Sequence, residues 1–249
     1  PYAALGQVAN AGRRRASADA LLRRAIALRP SFATAYQWHG TLLMTRGDPA
    51  AGLISLERAS VLDPRSLIVA ENHAWILMTL GRHADARARC EKALELDPAY
   101  TACLEDVGMA ELLLGNFDAA AVAFAREAAA LNPSASAQGR ELAAALSGRA
   151  DRRALALRYL AFEPDSALKP GTGNTLTSYD IPIVIMLLGE RGLTQDYLER
   201  LASREGGLAE WATAVPIMDP IRCDPRFIAM VESLKTKDAR AEKVCGEKG

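Results

Sequence analysis

Cys90-Glu91-Lys92-Ala93-Leu94-Glu95-Leu96-Asp97-Pro98 is the stretch from which the rest of the chain can be read. Two upstream stretches close in a similar way, Ala59-Ser60-Val61-Leu62-Asp63-Pro64 and Ala25-Ile26-Ala27-Leu28-Arg29-Pro30. The closing prolines Pro30, Pro64, Pro98 and Pro133 follow one another at intervals of 34, 34 and 35 residues. Small residues keep the same step of 34: Gly6, Gly40, Ala74 and Gly108; Gly47, Gly81 and Gly115; Ala18, Gly52, Ala86 and Ala120; Ala25, Ala59 and Ala93. The turn of a helix repeats every 3.6 residues and cannot generate that step. A supersecondary unit repeated along the chain can.

Each unit reads as two helices. Gly47 suits the left-handed residue that ends a first helix. Asp48-Pro49 then opens a second, with proline in the first turn, where its missing N–H matters least. Pro30, Pro64 and Pro98 stop the second helix and set the turn into the next unit. The predicted pairs are 1–12 and 16–29, 33–46 and 49–62, 67–80 and 83–96, 101–114 and 117–131. A fifth, degenerate pair spans 135–147 and 151–162, keeping Gly148 as its turn and Glu163-Pro164 as its stop, although the step from Pro133 has shrunk to 31. Gly40, Ala74 and Gly108 fall where paired helices cross, so a large side chain there forces them apart.

The period and its small residues resemble the tetratricopeptide repeat (TPR), most clearly over Leu67–Tyr100 and strongly over residues 1 to about 133. That resemblance implies an all-α fold, a right-handed TPR superhelix (α-solenoid) of about five helix pairs. Array residues 1–164 are then followed by a loop at 165–177, a helical C-terminal cap at 178–236 and a fraying tail at 237–249. In the cap, Asp180 with Pro182 opens one helix, Thr194 caps another, a short helix lies near Leu208–Val215, and Asp224-Pro225 starts the last, with Phe227, Met230, Val231 and Leu234 on its apolar face. The stretch Asp219-Pro220-Ile221-Arg222-Cys223-Asp224-Pro225-Arg226-Phe227 resembles the C-terminus of bacterial multidomain regulators, the CadC-type winged-helix proteins and their cyclase- or kinase-linked counterparts. Over residues 218–234 this likeness implies a regulatory setting. No winged-helix, kinase or cyclase motif lies in these 249 residues.

Composition agrees with close helix packing. Aromatics are 6% of the chain and hydrophobic residues 50%, with 30 basic and 30 acidic residues giving zero formal charge. The apolar content is too high for a disordered chain, and the balanced charge is not that of a general nucleic-acid binder. The strongest apolar run, Ile181–Leu188, is far below the roughly 20 residues of a membrane-spanning helix. The sequence starts at Pro1 without an initiator Met or a signal-peptide pattern, which suggests a fragment of a longer protein. The compartment is then cytoplasmic, or periplasmic if a transmembrane helix precedes.

No catalytic constellation is apparent, so the chain is expected to be no enzyme and to need no cofactor or metal. His39 and His73, one period apart, lack metal-ligand companions and read as histidines packed between repeats; His83 reads as solvated. Cys90 and Cys103 lie on neighbouring helices and are expected as buried free thiols, a disulfide between them being the alternative in an oxidising compartment. Gly171-Thr172-Gly173-Asn174-Thr175 lacks the Lys-Ser/Thr ending of a phosphate loop, and Arg13-Arg14-Arg15 reads as a solvated turn.

The TPR resemblance also implies that first helices line a concave groove. The matching positions are Gln37, Thr41 and Met44; Glu71, Trp75 and Met78; Glu105, Met109 and Leu112. The face is apolar, and Glu71 and Glu105 stand where a carboxylate clamp needs cations. An apolar protein or peptide segment is therefore the expected partner, with no direct nucleic-acid contact; alternatively the chain's own C-terminal helices fill the groove. A small-ligand sensor, with its pocket between the repeats and the Asp180–Leu234 helices, is the competing function.

Overall fold

The computed structural model describes residues 1–11, 15–131, 135–161, 180–204, 212, 215–234, 238 and 241–246. These residues form helices without strands. Five antiparallel pairs follow one another: α1 (Tyr2–Ala11) with α2 (Arg15–Leu28), α3 (Ala33–Thr45) with α4 (Pro49–Leu62), α5 (Leu67–Thr79) with α6 (His83–Leu94), α7 (Thr101–Leu114) with α8 (Phe117–Leu131), and α9 (Ala135–Leu146) with α10 (Arg152–Leu160). The remainder comprises α11 (Asp180–Leu187), α12 (Arg191–Arg204), a 3-10 helix over Pro216–Ile221, α13 (Pro225–Ser233) and α14 (Ala241–Gly246). The predicted loop at 165–177, its Gly171–Thr175 stretch, Arg13 and Arg14 lie outside the described residues, as does most of the helix expected near Leu208–Val215.

The turn inside each pair is one construction used repeatedly. Gly47, Gly81, Gly115 and Gly148 all have φ between 78° and 81°. In the first, the Gly47 N–H donates to the Met44 carbonyl at 2.9 Å and the Asp48 N–H to the Leu43 carbonyl at 3.0 Å. This is the paired bonding of a Schellman cap, which satisfies carbonyls that the helix end leaves open. Asp48 then caps α4 by accepting from the Ala51 N–H at 3.0 Å, ahead of Pro49. The same glycine turn recurs at Gly189 (φ 89°) between α11 and α12. The first part of the cap is thus another helix hairpin on the repeat's own hinge.

Close crossings occur where the small residues fall. A Cβ on Gly40 would stand 2.9 Å from the Gly52 carbonyl oxygen, and one on Gly108 would stand 2.6 Å from the Phe124 ring. Neighbouring units are joined by polar contacts as well. His39 in α3 meets Asp19 of α2 through Nε2 at 3.0 Å and Ser55 of α4 through Nδ1 at 2.9 Å. His73 in α5 meets Ser60 of α4 at 3.2 Å, and Ser60 accepts from Arg89 at 2.9 Å. Both histidines therefore pack between repeats.

The C-terminal part differs from expectation at two points. Thr194 does not cap a helix: α12 starts at Arg191, and the buried Thr194 hydroxyl donates back to the Glu190 carbonyl at 3.1 Å, the bond of a mid-helix threonine. In the tail, residues 241–246 form α14, and Cys245 is disulfide-bonded to Cys223. Cys90 and Cys103 are buried free thiols. Asp224 does cap α13, accepting from the Arg226 N–H at 2.8 Å, with Phe227, Met230 and Val231 buried behind it.

Helix α11 fixes where the cap sits. Ile181, Ile183, Val184, Ile185, Met186 and nearby Leu188 are all buried. A helix apolar on every side has to be covered on every side. Repeats four and five supply part of that cover: Met109, Leu112, Phe124, Leu142 and Tyr159 share one continuous core with α11, α12 and α13. No helix among the described residues is long and apolar enough to cross a membrane.

Candidate functional site: the concave cleft

The central cleft lies between α5, the start of α6, α7 and the C-terminal part of the chain. Trp75, Met78 and Thr79 of α5, His83 of α6, and Met109 and Leu113 of α7 form one side. Ile183 of α11 together with Val215, Pro216 and Ile217 forms the other. The remaining free space is about 20 Å³, room for about one water molecule. The space between the two sides is thus narrow, and a segment of the same chain forms the second side.

Of the nine groove positions read from the repeat, Trp75, Met78 and Met109 come together here. Met44 is fully buried with Leu56 and Ile76 between repeats, its sulfur accepting from the Thr79 hydroxyl at 3.7 Å. Leu112 is buried in the core shared with the cap, and Gln37 is also buried. Thr41 is half-buried and donates to the Trp38 carbonyl at 3.1 Å. Glu71 and Glu105 are half-buried. His83, expected in solvent, is half-buried on the cleft wall; burial lowers its pKa.

Electrostatics along α5 come mainly from desolvation. Burial pushes the Glu71 carboxyl up to about 7, against a hydrogen bond from Tyr100 that favours its anion. Burial brings His73 down to about 4, helped by the charges of Arg89 and Arg82. Both shifts favour the uncharged form, so this stretch of α5 is less charged than its composition suggests. On the next helix, Arg87 reaches Glu111 at 3.2 Å, and Glu111 also accepts from Asn116 at 2.7 Å.

The segment that forms the second side of the cleft is held by Arg222, whose side chain is fully buried. Its Nε donates to Asp219 at 2.9 Å, one terminal nitrogen to Asp238 at 2.5 Å, and the other to the Val215 carbonyl at 3.1 Å. The guanidinium also lies 5.6 Å from the centre of the Phe227 ring. A buried guanidinium keeps its charge, so carboxylates and carbonyls have to gather around it. The sequence motif around Asp219–Arg222 marked this stretch, but Asp238 and Val215 had no signal linking them to it.

Residues 70–100 match the family model for the tetratricopeptide repeat. No curated protein sequence matches the chain. Solved structures of TPR proteins share the fold. PilW, a type IV pilus biogenesis factor, is 18% identical with a TM-score of 0.57, the match covering 85% of this chain and 96% of that one. A tetratricopeptide repeat protein from Parabacteroides merdae is 14% identical with a TM-score of 0.56, covering 98% and 95%. YrrB, a TPR protein described as having an unusual peptide-binding site, is 20% identical with a TM-score of 0.51, covering 77% and 90%. The chain thus has the architecture of a TPR solenoid.

Proposed function

We propose that this chain is a protein-interaction scaffold that takes a short apolar partner segment in the concave cleft beside Trp75. The observation carrying this reading is the cleft's present occupant. Trp75, Met78 and Met109 face Val215, Pro216 and Ile217 across the cleft, where the extended Val215 leads into the 3-10 helix Pro216–Ile221. A surface that accommodates such a stretch in cis is chemically suited to one in trans: methionines adapt to different shapes, and a tryptophan supplies a large contact area. The peptide-binding description of YrrB is in line with this use of the fold. The resemblance at residues 218–234 suggests that the scaffold serves a larger bacterial regulator, with signal transduction or transcription control as its setting.

The sensor alternative fares worse at this cleft, because small-molecule pockets usually enclose about 300–1,000 Å³ and only about 20 Å³ is free here. The interaction reading is tested by panning the purified chain against displayed random peptides. Enrichment of apolar peptides, lost in a folded Trp75→Ala variant, is expected. Enrichment that survives Trp75→Ala would place binding elsewhere.

A further inference from the structure

The occupant of the cleft is fastened by a feature that can be opened chemically. Val215, Met218 and Ile221 are buried, and Pro216 reaches the α5–α6 turn, its Cγ lying 3.4 Å from where a Cβ on Gly81 would stand. On the other side, Arg222 grips the Val215 carbonyl and is neutralised by Asp219 and Asp238. Asp219 belongs to the same 3-10 helix, but Asp238 lies beyond α13. It falls within the 22-residue span closed by Cys223–Cys245. Helix α14, which carries Cys245, has six residues, and none of its described side chains is buried. A helix that short has little stability of its own. The disulfide is thus the covalent tie between this short helix and the Arg222 segment, added to the Arg222–Asp238 ion pair.

We infer that the Cys223–Cys245 disulfide latches an internal pseudo-ligand: while it is closed, Val215–Ile217 occupies one side of the cleft, and its reduction frees the cleft for a partner segment of like chemistry, a short apolar stretch with proline in second place. This rests on the groove reading above. The reductant is a dithiol. One of its thiolates attacks a sulfur of the pair, the S–S bond breaks, and a mixed disulfide forms. Its second thiol then displaces the protein sulfur. The protein gains two electrons and two protons as Cys223 and Cys245 thiols, and the reductant leaves as its own disulfide. Both sulfurs belong to half-buried residues, which a thiolate can approach, whereas Cys90 and Cys103 are fully buried. With α14 released, the covalent tie that keeps Asp238 near Arg222 is gone and their ion pair is weakened. A buried guanidinium that loses a carboxylate favours rearrangement toward water. The grip on Val215 goes with it.

The test uses the full chain and a fluorescein-labelled peptide of the sequence Val215–Pro220, followed by anisotropy. Circular dichroism checks that the reduced chain stays folded. The reduced chain, held in dithiothreitol, should bind at least about tenfold more tightly than the oxidised chain, and Trp75→Ala should remove that binding. Asp238→Asn, which leaves the disulfide intact, should raise binding by the oxidised chain. Equal binding in both redox states, lost in Trp75→Ala, would overturn the latch and leave the groove reading standing. Binding in neither state, or binding indifferent to Trp75→Ala, would overturn both.

Discussion

Adding one methyl group at Gly108 should destabilise the array, although alanine is the better helix former. The added Cβ would stand 2.6, 2.7 and 2.9 Å from three atoms of the Phe124 ring. Ordinary carbon–carbon contact is about 3.5–4.0 Å, so the ring or the helix has to move by about 1 Å. The ring has little freedom: Phe124 is 4% exposed and belongs to the core that also holds Leu142, Leu146 and Tyr159. Overpacking of this kind costs about 1–3 kcal/mol, and the gain in helix propensity returns about 1 kcal/mol. A net loss of up to about 2 kcal/mol lowers the Tm of a chain this long by up to about 8 °C. Gly108→Leu should be worse. Two other glycines act as controls. Gly115 has φ 81° and nothing near its Cβ position, so Gly115→Ala should lose about 1–2 kcal/mol through backbone strain alone. Gly192, in α12, has open space and no positive φ, so Gly192→Ala should be neutral or gain up to about 1 kcal/mol. Thermal melts followed by far-UV circular dichroism report all three. Phe124→Leu, which removes part of the ring, should reduce the penalty of Gly108→Ala by about 1 kcal/mol in a double-mutant cycle, and should leave Gly115→Ala unchanged. Gly108→Ala melting above the wild type, or an effect indifferent to Phe124→Leu, would refute the crossing geometry.

Three further outcomes are expected. Arg222→Ala strands Asp219 and Asp238 without their buried partner and should lose about 3–5 kcal/mol in urea unfolding; a loss under 1 kcal/mol would show that this cluster does not hold the cap. Thiol titration of the oxidised protein in denaturant should find the two cysteines Cys90 and Cys103, and four after reduction; four before reduction would mean that no disulfide had formed. Glu71 has a folded-state pKa raised to about 7 from an ordinary 4.5. The folded state therefore keeps a proton that the unfolded state gives up, and this carboxyl lowers stability increasingly as pH rises from 4.5 to 7. Glu71→Gln should thus stabilise the chain at about pH 8 by up to roughly 3 kcal/mol and do little near pH 4. His73 works in the opposite sense over nearly the same window, its pKa depressed to about 4, so its contribution is full above 6.5 and lost as pH falls. The wild-type stability curve should be flatter between these values than that of either Glu71→Gln or His73→Gln; equal slopes would contradict the pairing of shifts.

The repeat architecture was legible because its cause is steric and recurs at a fixed step. Only a small residue fits at Gly40 or Gly108, and only glycine takes the φ of Gly47 and its counterparts cheaply, so the sequence is marked at each place. Helix α11 was legible in another way, as the longest apolar run, although which elements would cover it was not. In the cleft, Trp75, Met78 and Met109 followed from the repeat register, while Met44 and Leu112, which share the register position of Met78, are covered by Leu56 and Ile76 and by the cap core. The opposite wall had no such mark. Val215 leads into the short 3-10 helix that holds Pro216 and Ile217, too brief for any period to show, and the Cys223–Cys245 pair joins positions with no common spacing rule. Nothing in the sequence marked Arg222 as buried, since Asp238 reaches it from sixteen residues away.

The insertion of Val215–Ile217 against Trp75 and Met109 alters how the whole stack should come apart. In an open solenoid each unit touches only those beside it, and the ends can unzip one at a time. Here the chain's last third doubles back past the fifth unit to grip the third and fourth. Loss of the end then exposes the middle, and the middle cannot loosen while the end stays docked. Slow hydrogen exchange should therefore spread evenly over α5, α7 and α11, as in a single cooperative body, with only α1 and α2 left free to fray.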